Sequence, residues 1–253
     1  MAVLAHPDDE SLGVGGTLAR YAREGVATHL VTATRGQRGR CDHLEVRPDD
    51  GEVGRIREAE LRAAAAVLGL ESLTVLDYLD GSLDQADPVE AAARIAEKMV
   101  ELRPHVVLTF DPDGAYGHPD HIAISQLTTA AVAVAASAGH AVDKLYFMAW
   151  TRAKWDAYEA AFKELVSRVG GEVRRAQPWQ DWAISSVIDT TEEWPTVWKA
   201  VSTHRSQMSA YGALAELSEE HHRALWGTQS FYRAMSRVNG GPQVESDLFE
   251  GIR

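Results

Sequence analysis

With 253 residues, 45% apolar and 25% charged, the chain has the composition of an ordinary soluble protein long enough for one sizeable α/β domain. Its formal net charge of -12 is the opposite of a nucleic-acid binder's basic footprint, and its one cysteine, Cys41, excludes an internal disulfide or thiolate metal cluster. No apolar run approaches the roughly 20 residues that span a bilayer, and no leader-like stretch opens the chain, so a cytoplasmic protein without membrane or nucleic-acid partners is expected.

The elements alternate from the start. "AVLA" is a short apolar strand, and "SLGVGGTLARYAREG" has helical spacing with a stop at Gly25. "VATHLVTAT" reads as the second strand, followed by the polar loop "RGQRGRCDHLEVRPDDG". "EVGRIREAELRAAAAVLGL" is an amphipathic helix closed by Gly69. "SLTVLDYLD", "PVEAAARIAEKMVELR" and "HVVLTF" give a third strand, a helix and a fourth strand. The irregular loop "DPDGAYGHPD" then leads into the helix "HIAISQLTTAAVAVAASAG" and a fifth strand, "DKLYFMAW". Strands separated by helices imply right-handed crossovers and a Rossmann-like, doubly wound, mainly parallel α/β sheet with helices on both faces.

Beyond residue 151 the pattern weakens. Trp155, Trp179, Trp182, Trp194 and Trp198 fall between 151 and 200, and core packing or loop anchoring is the expected role of such large aromatics. "EWPTVWKAVSTHRSQ" reads as a helix and "SFYRAMSR" as a strand. There is no repeat and no low-complexity linker. The expectation is one domain over 1–253, with a core over about 1–150 and a C-terminal elaboration over about 151–253.

In a doubly wound sheet, ligands bind beyond the carboxyl ends of the strands where strand order reverses. "HPDDE" follows the first strand and "DPDGAYGHPDH" the fourth, which are neighbours in the order 3-2-1-4-5. The loops should therefore face each other, bringing His6, Asp8, Asp9 and Glu10 to Asp111, Asp113, His118, Asp120 and His121. Two imidazoles and a carboxylate are a common catalytic zinc set that leaves a position for water. His6 and Asp9 can chelate one ion, and His118 and His121 stand three apart where a helix begins. The competing reading is helix capping, with acidic residues and proline in the first turn. It explains either loop alone more easily than both together.

"AHPDDE" with "GHPDH" about 110 residues later resembles the LmbE/PIG-L family of zinc-dependent deacetylases, which act on N-acetylglucosamine derivatives. "GGTLARYAREG", "VTATRGQRG", "RIREAEL", "LDYLDG", "KAVSTHRSQ" and "ESDLFEGIR" follow in the family's order. The resemblance implies His6, Asp9 and His121 as metal ligands and Asp8 as the base that activates water. It also implies His118 as a protonated imidazole stabilising the oxyanion, Asp120 as the group holding that imidazole, and Tyr116 as a contact to the substrate carbonyl. Arg57 and Asp80 match positions linked to sugar recognition in relatives. Zn2+ is the implied ion, with Fe2+ acceptable to the same donors. The implied partner is a small amino-sugar conjugate, and a homo-oligomer is left open. Gln37 departs from the family, which often carries glutamate there, and so bears on which sugar is accepted.

Three other readings fit part of the pattern. The same apparatus would serve an amidase that removes a larger acyl group from a thiol conjugate. "GVGG" suggests a phosphate loop, but acidic "DDE" occupies the strand-to-helix turn where a pyrophosphate would sit. A metal-stabilised protein without catalysis is the third. His204, in "THRSQ", is expected either to border the site or to pack a helix.

Overall fold

The computed structural model describes every residue except 163–165, 170 and 176. Its elements run β1 (Ala2–Leu4), α1 (Asp9–Arg23), β2 (His29–Thr34), α2 (Asp50–Leu68), β3 (Ser72–Tyr78), α3 (Pro88–Leu102), β4 (Val106–Thr109), α4 (Gly114–Gly117), α5 (Pro119–Ser137) and β5 (Lys144–Met148). There follow α6 (Arg152–Phe162), β6 (Ser167–Val169), β7 (Glu172–Arg174), β8 (Ser186–Asp189), α7 (Trp194–Thr203), α8 (Met208–Tyr211), α9 (Glu219–Trp226) and β9 (Thr228–Ser236).

The main sheet has the order β3-β2-β1-β4-β5-β9-β8. Its first five strands are parallel, as the alternation predicts, while β9 runs antiparallel to both β5 and β8. β1, β2 and β4 are buried along their whole length, the pattern of strands covered on both faces. α1, α2 and α7 pack together, and α3 packs on α5. The order reverses between β1 and β4, so the loops leaving these strands open into one crevice.

Local chemistry explains several boundaries. Asp49 caps α2 by accepting from the Glu52 amide at 2.8 Å, and Asp87 caps α3 ahead of Pro88. The glycines of "GVGG" lie inside α1. A Cβ on Gly16 would come within 2.8 Å of Thr190, so glycine there allows close packing against the C-terminal part of the chain.

The region after 151 is only partly as expected. The predicted helix over 193–207 ends at Thr203 and gives way to a 3-10 turn, and the predicted strand is the longer β9. β6, β7, β8, α6, α8 and α9 carry no clear sequence signal. Of the five tryptophans, Trp155 is buried, whereas Trp182 is 87% exposed and packs no core. Among the described residues no helix is long and apolar enough to cross a membrane.

Candidate metal and catalytic site

The loop after β1 brings His6, Asp8 and Asp9 to the crevice, and these and Glu10 are buried. Asp8 stands at the start of α1 with φ 106° and ψ -26°, a left-handed conformation that costs a non-glycine residue about 1–3 kcal/mol. Its amide donates to Glu10 Oε2 at 3.0 Å, and the Pro7 carbonyl accepts from Arg57. The Asp8 carboxylate does not cap its helix. Instead Oδ2 accepts from Arg57 Nη2 at 3.0 Å and from the Tyr211 hydroxyl at 2.8 Å. Capping of the first loop thus falls to Glu10, which takes the Asp8 amide, and the Asp8 carboxylate is left to the site.

The loop after β4 contains a second strained turn. Gly114 has φ 62°, and a Cβ there would lie 2.8 Å from both the Cβ of His121 and the Ile122 nitrogen. Ala115 follows at φ 62° and ψ -59°. Asp111 Oδ1 accepts the Ala115 amide at 2.8 Å, and Asp111 Oδ2 accepts Trp179 Nε1–H at 2.8 Å. α5 then starts at Pro119, with the ring of His118 as its cap: Nδ1 accepts the Asp120 amide at 3.2 Å. Here capping and a role in the site coexist.

The two loops meet through imidazoles. His6 Nδ1 lies 3.1 Å from His121 Nε2. Asp9 Oδ1 is 3.4 Å from His121 Nε2, and Asp9 Oδ2 is 3.7 Å from His6 Nδ1. Each ring is committed at its other nitrogen. His121 Nδ1 faces the Gly114 carbonyl at 3.2 Å and must donate there, which leaves a lone pair on Nε2. His6 Nε2 faces Asp120 Oδ2 at 3.0 Å and Asp80 Oδ1 at 3.2 Å, so it carries a proton and Nδ1 turns to His121. Two nitrogens approach this closely only with a proton or a cation between them.

A tetrahedral ion with ligand distances of about 2.0–2.2 Å needs donor atoms about 3.3–3.6 Å apart. The His6, Asp9 and His121 separations of 3.1, 3.4 and 3.7 Å bracket that range, so small side-chain shifts would bring all three donors to it. The nitrogens of His6, His118 and His121 also lie within 4.8 Å of one another, as do donors of His6, Asp80 and Asp120. In the latter group Asp120 and Asp80 accept from Nε2 of His6, so that group orients the ring and turns Nδ1 to the other side.

The electrostatics follow from burial opposed by partners. Burial alone would lower His6, but Asp120 and Asp80 outweigh it and push the ring up to about 10. Burial raises Asp9 to about 7 despite the opposing pull of His6. Burial and then the charge of His6 hold His121 well below the ordinary histidine range. In Asp80, burial is outweighed by the hydrogen bond to His6, which holds the carboxyl far below the carboxylate range.

The contacts of three sets of expected site residues differ from those that sequence adjacency suggests. Asp120 does not hold His118: its carboxylate accepts from His6 and from the Gly81 and Leu83 amides at 2.7 and 3.0 Å. No carboxylate is hydrogen-bonded to His118 among the described residues; its Nδ1 accepts the Asp120 amide. Burial and the charge of His6 lower the ring to about 4. With Nδ1 accepting a backbone amide, the neutral ring carries its proton on Nε2. Arg57 and Asp80 do not reach the cavity as sugar contacts. The guanidinium is held by Pro7, Gly36 and Asp8, and the carboxylate by His6 and the Arg38 amide at 2.9 Å.

A cavity of about 250 Å³ opens beside the imidazoles. Asp8, Asp9, Tyr116, His121 and Tyr211 form its polar end, while Phe110, Trp150 and Tyr158 supply aromatic walls. His204 does not line it: Nε2 pairs with Glu10 Oε1 at 2.8 Å, both buried, behind the first loop. Nothing in the spacing of Tyr211 points to Asp8, from which it is separated by 203 residues.

The profile of the PIG-L family, described as GlcNAc-PI de-N-acetylase, matches residues 1–132. The 1D-myo-inositol 2-acetamido-2-deoxy-alpha-D-glucopyranoside deacetylase 2 of Catenulispora acidiphila is 33% identical over 295 residues, covering 100% of this chain and 96% of the relative. The chain belongs to the PIG-L family. A conserved protein of Thermus thermophilus, TT1542, has the same fold with a TM-score of 0.67 and 27% identity, over 94% of this chain and 96% of the other. The 4-carboxy-2-hydroxymuconate hydratase of Pseudomonas putida superposes with a TM-score of 0.70 at 19% identity, over 95% and 97% of the two chains. A hydratase on this scaffold means that fold alone does not select the reaction.

Proposed function

We propose that this PIG-L family member hydrolyses the N-acetyl group of an N-acetylglucosamine-type conjugate in the cytoplasm, with one divalent ion held by His6 Nδ1, His121 Nε2 and Asp9. The observation that carries this reading is the convergence of His6 Nδ1, His121 Nε2 and the Asp9 carboxylate beside Asp8, at the polar end of an aromatic cavity. Zinc is the first candidate, and ferrous iron suits the same donors. When bound, the ion would supply Lewis acidity to water and to the acetyl carbonyl.

The chain's own groups do the rest. Asp8, fixed by Arg57 and Tyr211, accepts a proton from the attacking water. Tyr116, whose hydroxyl has no hydrogen-bond partner among the described residues, donates to the carbonyl oxygen as charge grows there. Neutral His118 donates from Nε2 to the same oxygen, as an uncharged electrophile. The C–N bond breaks as the proton taken by Asp8 passes to the leaving nitrogen. Acetate and a free amine result.

Acetate release from 1D-myo-inositol 2-acetamido-2-deoxy-alpha-D-glucopyranoside and from N-acetylglucosamine itself is the direct test, run with zinc, with ferrous iron and with chelator. Chelator-sensitive release supports the reading. No release under any metal condition sinks it and returns attention to hydratase chemistry on the same scaffold.

A further inference from the structure

Trp179 connects the C-terminal part of the chain to the second loop of the site. Its amide donates to the Trp150 carbonyl at 2.8 Å, and its ring lies 4.9 Å from that of Tyr232 on β9. The indole is thus held before it meets the loop. Its Nε1–H then donates to Asp111 Oδ2, while Asp111 Oδ1 accepts the Ala115 amide. Asp111 is buried, so its carboxylate oxygens depend on these protein partners for what water would otherwise supply. Ala115 has φ 62° and ψ -59°, a conformation that a residue with a Cβ holds only when its surroundings fix it. The next residue is Tyr116, at φ -130°, whose ring lies 5.1 Å from that of His121 and lines the cavity.

We propose that Trp179 is a positioning residue, locking the Asp111 carboxylate so that the strained Ala115 turn aims Tyr116 at the reacting carbonyl. This rests on the deacetylase reading for its kinetic consequence only. The hydrogen-bonded path from Trp179 to the Ala115 amide stands independently of the reaction. Packing alone would require the indole ring but not its N–H, and the two requirements separate in Trp179→Phe.

The test compares the wild-type holoenzyme with Trp179→Phe, Asp111→Asn, the double variant and, as control, exposed Trp182→Phe. Acetate release from N-acetylglucosamine gives kcat and KM, elemental analysis gives metal content, and hydrogen exchange reads the Ala115 amide. Trp179→Phe is expected to lower kcat about tenfold with KM within about twofold, because a small misplacement of a positioned group acts on turnover. Metal content should be unchanged, Ala115 exchange faster, and Trp182→Phe indistinguishable from wild type. Asp111→Asn should reproduce the effect, and the double variant should add little to it, as for two members of one network. Asp111→Asn also reads the bond if Trp179→Phe does not fold. Wild-type kcat or wild-type Ala115 exchange in a folded Trp179→Phe overturns the proposal. If the wild-type protein releases no acetate, the deacetylase reading fails while Ala115 exchange still decides whether Trp179 holds the turn.

Discussion

The two parts of the chain contribute to the site in different ways. Residues 1–150 bring His6, Asp8, Asp9, His118 and His121 on two loops that leave adjacent parallel strands. The rest of the chain contributes braces: Tyr211 to Asp8, His204 to Glu10 and Trp179 to Asp111. Each of these bonds ends on a carboxylate of a site loop. The comparison teaches that reactive groups and the groups that aim them need not share a motif, because a hydrogen bond spans the fold as readily as it spans a turn.

The largest effect should come from the donors themselves. His121→Ala removes the lone pair facing His6, and elemental analysis should find the divalent ion lost and acetate release at background. A fully active, metal-free variant would break the assignment. Asp8→Asn keeps the His6, Asp9 and His121 donors, so the ion should remain while turnover falls by about 10²–10⁴-fold, the usual worth of a general base. Loss of the ion in Asp8→Asn would instead make Asp8 a ligand.

Weaker effects should mark the groups that orient. Asp120→Asn disturbs the carboxylate that fixes His6 Nε2–H, and a metal titration should find affinity lower by about 10–100-fold. Unchanged affinity would mean that Asp80 alone suffices to orient the ring.

The smallest effect on turnover should come from Glu245, far along the chain. It accepts from Lys144 at 2.7 Å, Tyr146 at 2.6 Å, Ser186 at 2.6 Å and Asn239 at 2.6 Å. Burial would raise its carboxyl, but these partners, Lys144 foremost, hold it down at about 2, against an ordinary value of 4.5. Its folded value lies below its unfolded one, so the stability it adds is present above about pH 4.5 and lost as pH falls towards 2. Thermal melts of Glu245→Gln should lack this part of the acid decline, with kcat at neutral pH near wild type. A melt profile parallel to wild type from pH 5 to 2 would remove Glu245 from the account.

Much of the fold was legible because parallel strands buried on both faces must be apolar throughout, as "HVVLTF" and "VATHLVTAT" are, and the helices between them must be amphipathic. The short β6, β7 and β8 bury too little to leave such a pattern. In the site, the convergence of His6 with His121 followed from the strand order, whereas the partner of Asp120 did not. Sequence adjacency points Asp120 at His118, yet its carboxylate turns to His6, 114 residues away.

The sequence by itself determined which donor types stand at the switch point, since the polar residues of two strand-to-helix loops are fixed once strand order is known. Only the tertiary structure decided where each proton and lone pair points. Asp120 could orient either ring, and Arg57 could face the cavity or Asp8. Burial makes an unpartnered polar group costly, so each side chain takes the partners that the packed fold brings within about 3 Å, however distant in the chain.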